Sequence, residues 1–158
     1  GARAVAKKIV FEKADALCVI EVKGNCTGKD LQGAAAKAVT IRNLQGQTTP
    51  LYGMVCYRVA LELKTIMNRF GYSFDSANNT YFDNATIPNE TEANWRKVEY
   101  PDLDFFVSLE DEKKLFLRKY ELAPGKVRFA RSFRITLIQE LFSMVRGLWI
   151  PANQAPMP

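Results

Sequence analysis

A chain of 158 residues is about one domain long, and its 47% hydrophobic and 25% charged residues have the balance of a folded globule rather than of a disordered segment. It contains no histidine, and its three cysteines, Cys18, Cys26 and Cys56, lack a CxxC spacing, which argues against a zinc site and excludes a His-dependent triad or relay. The formal charge of +5 conceals three blocks: residues 1–74 hold 11 Lys/Arg against 5 Asp/Glu, residues 75–112 hold 2 against 10, and residues 113–158 hold 9 against 2. Apolar runs stay far below the roughly 20 residues of a membrane-spanning helix. No charged-then-apolar leader opens the chain, and Gly1-Ala2 resembles a cloning scar. Unpaired thiols place the chain in a reducing, intracellular compartment, against which stand four Asn-x-Ser/Thr sequons at Asn25, Asn78, Asn84 and Asn89.

Arg3 to Lys8 is a basic lead-in, and Ile9-Val-Phe11 starts a strand that breaks at Glu12 to Asp15. Ala16 to Gly24 reads as a buried strand, because Leu17, Val19, Ile20 and Val22 put apolar groups on both faces; with the preceding strand it predicts a hairpin. Thr27 and Asp30 have the spacing of a capping box, and Leu31, Ala34, Ala35, Ala38 and Ile41 recur at helical spacing up to Leu44, with Gly46 available as a C-cap. After Pro50, Leu51 to Tyr57 predicts a strand, and Val59, Leu63, Ile66, Met67 and Phe70 fit a helix ended by Gly71, the favoured reading, although Val59, Leu61 and Leu63 also alternate as in a strand. Residues 71–93 read as a long surface loop. Trp95 to Tyr100, Leu103 to Leu109 and Leu115 to Leu122 predict an antiparallel meander, and Lys126 to Phe129 adds a strand. Ser132 caps a final helix with a Phe133, Leu137, Leu141, Met144, Val145 and Leu148 face, and residues 151–158 form a proline-rich extended tail. The expected fold is α+β: one globular domain over residues 1–150, an antiparallel sheet with about three packed helices.

Glu21-Val-Lys23 closes an apolar strand and precedes a polar turn and a helix bearing Gln32. That order resembles the core of the PD-(D/E)xK nucleases. The resemblance implies a carboxylate pair holding Mg or Mn and a lysine that orients water or stabilises charge, with Asp15, Glu21, Lys23 and Gln32 as the site residues. A second match, Pro101-Asp102 with Glu112-Lys-Lys114, falls in a hydrophilic turn too loose for a metal. No phosphate-cradling glycine loop, no GxSxG elbow and no small-molecule site is evident.

The basic ends carry an interaction reading in which no catalytic residue, metal or cofactor is required. Arg3, Lys7, Lys8, Lys113, Lys114, Arg118, Lys119, Lys126, Arg128, Arg131 and Arg134 are its candidate phosphate or lipid contacts, interleaved in the second half with Phe116, Tyr120, Phe129 and Phe133. Asp102, Asp104, Glu110, Asp111, Glu112 and Trp149 are its candidate self-association residues, since an acidic middle can receive a neighbour's basic ends. The order strand, Thr27-Gly-Lys-Asp30, alanine-rich helix, then Thr49-Pro-Leu-Tyr-Gly-Met54, resembles the core of matrix proteins from rhabdoviruses and related negative-strand RNA viruses, and the tail is similar to that of small matrix proteins of the same order. The PPxY element that several members carry is absent. The resemblance implies a non-enzymatic structural protein that self-associates as a homo-oligomer at the periphery of a membrane or in a virion, binding anionic lipid and nucleocapsid RNA.

Overall fold

The computed structural model describes residues 18–43, 50–83, 98–123, 126–131 and 139. The strand expected at Ile9–Phe11, the helix face expected after Ser132, the proline-rich tail, and Arg3, Lys7, Lys8, Asp15, Arg134 and Trp149 lie outside the described residues. Among those described, β1 (Cys18–Cys26), α1 (Gly28–Asn43), β2 (Leu51–Val59), α2 (Leu63–Arg69), β3 (Tyr72–Asp75), β4 (Thr80–Asp83), β5 (Phe105–Ser108), β6 (Leu115–Ala123) and β7 (Lys126–Arg131) follow in order, with a 3-10 turn at Asp111–Lys113. The class is α+β, as the element pattern predicted.

The main sheet is mixed, not antiparallel. Its strand order is β1-β2-β5-β6-β7, with β1 parallel to β2, β2 parallel to β5, and β6 and β7 antiparallel additions. The reason lies in the connections. The 16-residue α1 carries the chain back across the sheet before β2, and parallel neighbours need a crossover of that kind. The segment from Ala60 to Asp104, which includes α2 and the β3–β4 hairpin, does the same between β2 and β5. Two helices, rather than about three, stand among the described residues.

Several boundaries moved for local reasons. β1 runs through Gly24 and Asn25 to Cys26 because β2 continues opposite it, pairing Asn25 with Arg58 and Cys26 with Val59. For the same reason Val59 ends a strand and the helix starts at Leu63. The predicted loop at 71–93 begins as a hairpin: Tyr72 to Asp75 pairs with Thr80 to Asp83, closed by Asp75 Oδ1 accepting from the Ala77 amide at 2.9 Å and by Asn79 in the left-handed region. Val98 to Tyr100, in contrast, is not a strand.

Thr27 and Asp30 form the predicted capping box: the Thr27 amide and hydroxyl donate to Asp30 Oδ2 at 2.8 and 2.9 Å, and the Asp30 amide donates to Thr27 Oγ1 at 3.3 Å. α1 buries Leu31, Ala34 and Ala38 against Tyr52, Met54 and Cys56 of β2, and α2 adds Ile66 and Met67 to the same core. Phe70 sits at its centre, with ring centroids 5.6, 5.3 and 4.9 Å from Tyr100, Phe106 and Phe129. Phe105, Val107 and Phe116 form a second apolar cluster on the opposite face of the sheet. There Gly53 is required by contact, since a Cβ at that position would stand 2.5 Å from the Phe105 ring. β1 was expected to be buried on both faces, yet Ile20 is half-exposed and Val22 is 58% exposed, because β1 ends the strand order and has β2 as its one strand neighbour among the described residues.

Candidate functional site

Alternation along β1 sends Val19, Glu21 and Lys23 to one side and Cys18, Ile20 and Val22 to the other. The first side is the one α1 covers, because Val19 packs against the core that contains Leu31 and Ala34. Glu21 is the most enclosed charge there, its side chain 14% exposed. Lys37 Nζ, from α1, donates to Glu21 Oε1 at 2.9 Å, and the Tyr52 hydroxyl, from β2, donates to Oε2 at 2.5 Å. Lys23 Nζ lies 3.4 Å from Glu21 Oε1 and 3.3 Å from Asp30 Oδ1, so it bridges the strand to the first turn of the helix.

Each ionisation state follows from these contacts. Partial burial works to raise the Glu21 carboxyl, but the Tyr52 hydroxyl, Lys37 and Lys23 outweigh it and hold the group below its ordinary value. The Thr27 backbone and side-chain donors hold Asp30 down as well, with Lys23 contributing. The Lys23 ammonium is raised in turn, chiefly by Asp30 and then by Glu21. Tyr52 is pushed upward by burial and by the adjacent Glu21 carboxylate, so it remains a donor at any ordinary pH. Cys56, buried beneath this cluster, is also pushed upward by its hydrogen bond with Cys26 and by burial.

Of the residues expected in a PD-(D/E)xK-like site, Glu21 and Lys23 are brought together. Gln32 is exposed on α1, and the helix residue that reaches Glu21 is Lys37. Lys37 and Tyr52 are the partners that sequence reading missed. A weak signal existed for Lys37, because Ala34 and Ala38 flank it and let the helix lie close to the strand. Tyr52 had none, since its contact depends on the parallel register that pairs Val19 with Tyr52.

Tyr52 also joins this cluster to a second one. Its amide donates to Asp104 Oδ2 at 2.8 Å, and Asp104 Oδ1 receives Lys119 Nζ at 2.9 Å and Arg42 Nη2 at 3.4 Å. Arg42 further pairs with Asp102 Oδ1 at 3.2 Å and donates to the Asp102 carbonyl at 2.8 Å. Glu110 Oε2 accepts from the Val59 amide at 2.9 Å, Lys113 Nζ donates to the Val59 carbonyl at 2.8 Å, and Arg128 pairs with Asp83. Asp102, Asp104 and Glu110, and with them Lys113, Lys119 and Arg128, are therefore engaged within the chain. The Arg118 guanidinium lies 5.1 Å from the Tyr120 ring centroid. Asp111, Glu112, Lys114 and Lys126 are exposed, and Arg131 ends β7.

A magnesium or manganese ion calls for several oxygen ligands with one or two carboxylates among them. Glu21 offers the right donor chemistry, but no group of three His, Cys, Asp or Glu side chains converges among the described residues, and Asp15, the expected second acid, lies outside them. No helix among the described residues is long and apolar enough to cross a membrane. Comparison with family models, curated proteins and solved structures found no match.

Proposed function

We propose that the chain acts on nucleic acid as a phosphodiester-cleaving protein of the PD-(D/E)xK type, with Glu21 and Lys23 at its centre. The observation that carries this reading is the β1–α1–β2 crossover, which holds a Glu-x-Lys pair on the helix-covered side of the first strand, 3.4 Å apart. A divalent ion bound there would supply Lewis-acid activation of water, and Glu21 is the described carboxylate that would hold it. The chain's own residues supply the rest. Tyr52 fixes the Glu21 carboxylate in one orientation through Oε2, and Lys23 holds an ammonium group beside it that can orient a water or offset charge on a phosphoryl oxygen. Lys37, whose side chain is 60% exposed, adds a second ammonium at the mouth of the cluster, where a phosphate can approach.

The test is cleavage of single-stranded and duplex DNA and RNA in Mg²⁺ or Mn²⁺ against an EDTA control. Cleavage abolished by Glu21→Gln and by Lys23→Met is the expected result; equal cleavage by wild type and both variants would remove the assignment.

The matrix-like reading, a self-associating protein on anionic membrane or RNA, keeps one supporting observation. Ile20, Val22, Tyr57 and Tyr120 are exposed apolar or aromatic groups, with Val22 and Tyr57 at 58% and 61%. Its electrostatic argument narrows, because Asp83, Asp102, Asp104 and Glu110 already meet basic residues of the same chain, while Asp111, Glu112, Lys114 and Lys126 are exposed. Concentration-dependent oligomers in sedimentation, together with flotation on anionic vesicles, would favour it; a monomer that ignores vesicles would discard it.

A further inference from the structure

We propose that the groove lined by Lys64, Thr65, Asn68 and Arg69 is a second contact site for nucleic acid, one that takes a backbone phosphodiester next to the Glu21–Lys23 cluster. The groove has a volume of about 260 Å³, and Glu99 completes its lining. With one water occupying about 30 Å³ of liquid, that volume accommodates a diester together with part of its hydration shell.

Position links this groove to the strand-end cluster. Lys23 bonds Asp30, Asp30 closes the capping box with Thr27, and the next residue, Gly28, lies against Arg69: a Cβ on Gly28 would come within 3.0 Å of Arg69 Nη1. Glycine at this position lets a guanidinium sit beside the start of α1, so the two sites share one flank of the molecule.

The lining suits a singly charged diester. Arg69 is held in place before any ligand arrives, its Nη1 donating to the Tyr100 hydroxyl at 2.8 Å and its Nε standing 3.7 Å from Glu99 Oε2. A guanidinium immobilised in this way loses little entropy on binding an oxyanion. Lys64 is exposed, with Nζ 5.4 Å from the Phe74 ring centroid, and adds a second cation. Thr65 contributes a hydroxyl able to donate to a phosphate oxygen, beside Asn68 in the lining. Two cations against Glu99 leave a net charge of +1, which favours an anion such as a diester.

Only the identity of the ligand rests on the proposed function, so the test reads binding and cleavage separately. Binding of fluorescein-labelled single-stranded and duplex DNA is followed by anisotropy in EDTA over a salt series for wild type, Lys64→Ala, Thr65→Glu and Lys64→Arg, with melting curves to verify folding. Expected are weaker binding in Lys64→Ala and Thr65→Glu, a salt slope lower by about one in Lys64→Ala, and recovery in Lys64→Arg. If both variants lose affinity while wild type cleaves nothing, the groove stands and the nuclease falls. If wild type cleaves but both folded variants bind with unchanged affinity and slope, the groove is overturned and the nuclease stands. Absence of DNA binding by wild type also overturns the proposal.

Discussion

Tyr52 connects two charge clusters through one side chain and one amide, which makes it a useful probe of both. Its ring stays in the core in Tyr52→Phe, so the variant removes the donor to Glu21 without a cavity. Hydrogen bonds to charged groups contribute about 1.5–3 kcal/mol, and the partly exposed Glu21 should lie at the lower end; urea denaturation will measure it. Acid titration provides a second reading. A carboxyl held below its ordinary value stabilises the fold above its unfolded pKa, about 4.3 for Glu, and that contribution disappears as pH falls through the lower folded value. Glu21→Gln should therefore flatten the acid limb of a stability–pH profile. Ser108 is a different case, since its buried hydroxyl finds no partner among the described residues. A buried polar group left unpaired costs about 1–3 kcal/mol, so Ser108→Ala should unfold at the same or a higher temperature than wild type in calorimetry.

α1 and the β2–β5 pair are elements whose local chemistry can be tested one position at a time. The capping box at Thr27 and Asp30 satisfies donors that the helix itself leaves open, and Thr27→Ala should cost about 1 kcal/mol in chemical denaturation. Within the sheet, Gly53 faces Phe105 across a parallel pair with the ring packed on its Cα. Phe105 is fully buried, so the ring has no free space to retreat into, and Gly53→Ala should destabilise by about 1–3 kcal/mol, the usual range for overpacking. A melting temperature unchanged in Gly53→Ala would show that the ring can move. This contact was not legible in the sequence, where Gly53 sits inside an aromatic-rich strand with nothing to say what lies opposite.

Across the whole molecule, the three charge blocks are drawn together by the fold. Arg42 from the first block meets Asp102 and Asp104 from the second, and Lys119 and Arg128 from the third meet Asp104 and Asp83. These pairs differ in depth. Lys119 and Asp104 have side chains 12% and 15% exposed, whereas Arg42 is 36% exposed. Exposed pairs contribute about 0–1 kcal/mol, while breaking an enclosed pair leaves a charge with too little solvent. Lys119→Ala should thus lower stability more than Arg42→Ala in the same denaturation assay, and the Arg42 effect should shrink further in high salt.

The capping box, α1, β2 and the three strands from β5 to β7 were readable from composition and period, because each rests on contacts within a few residues or on alternation along one strand. Glu21-Val-Lys23 was readable as a motif for the same reason. The parallel pairing of β1, β2 and β5, the Tyr52 and Lys37 contacts to Glu21, and the groove beside Gly28 were not, since they depend on which segments become neighbours after a crossover. Burial also belonged to the tertiary level: an apolar strand such as β1 reads alike whether it lies inside the sheet or, as here, at the end of the strand order.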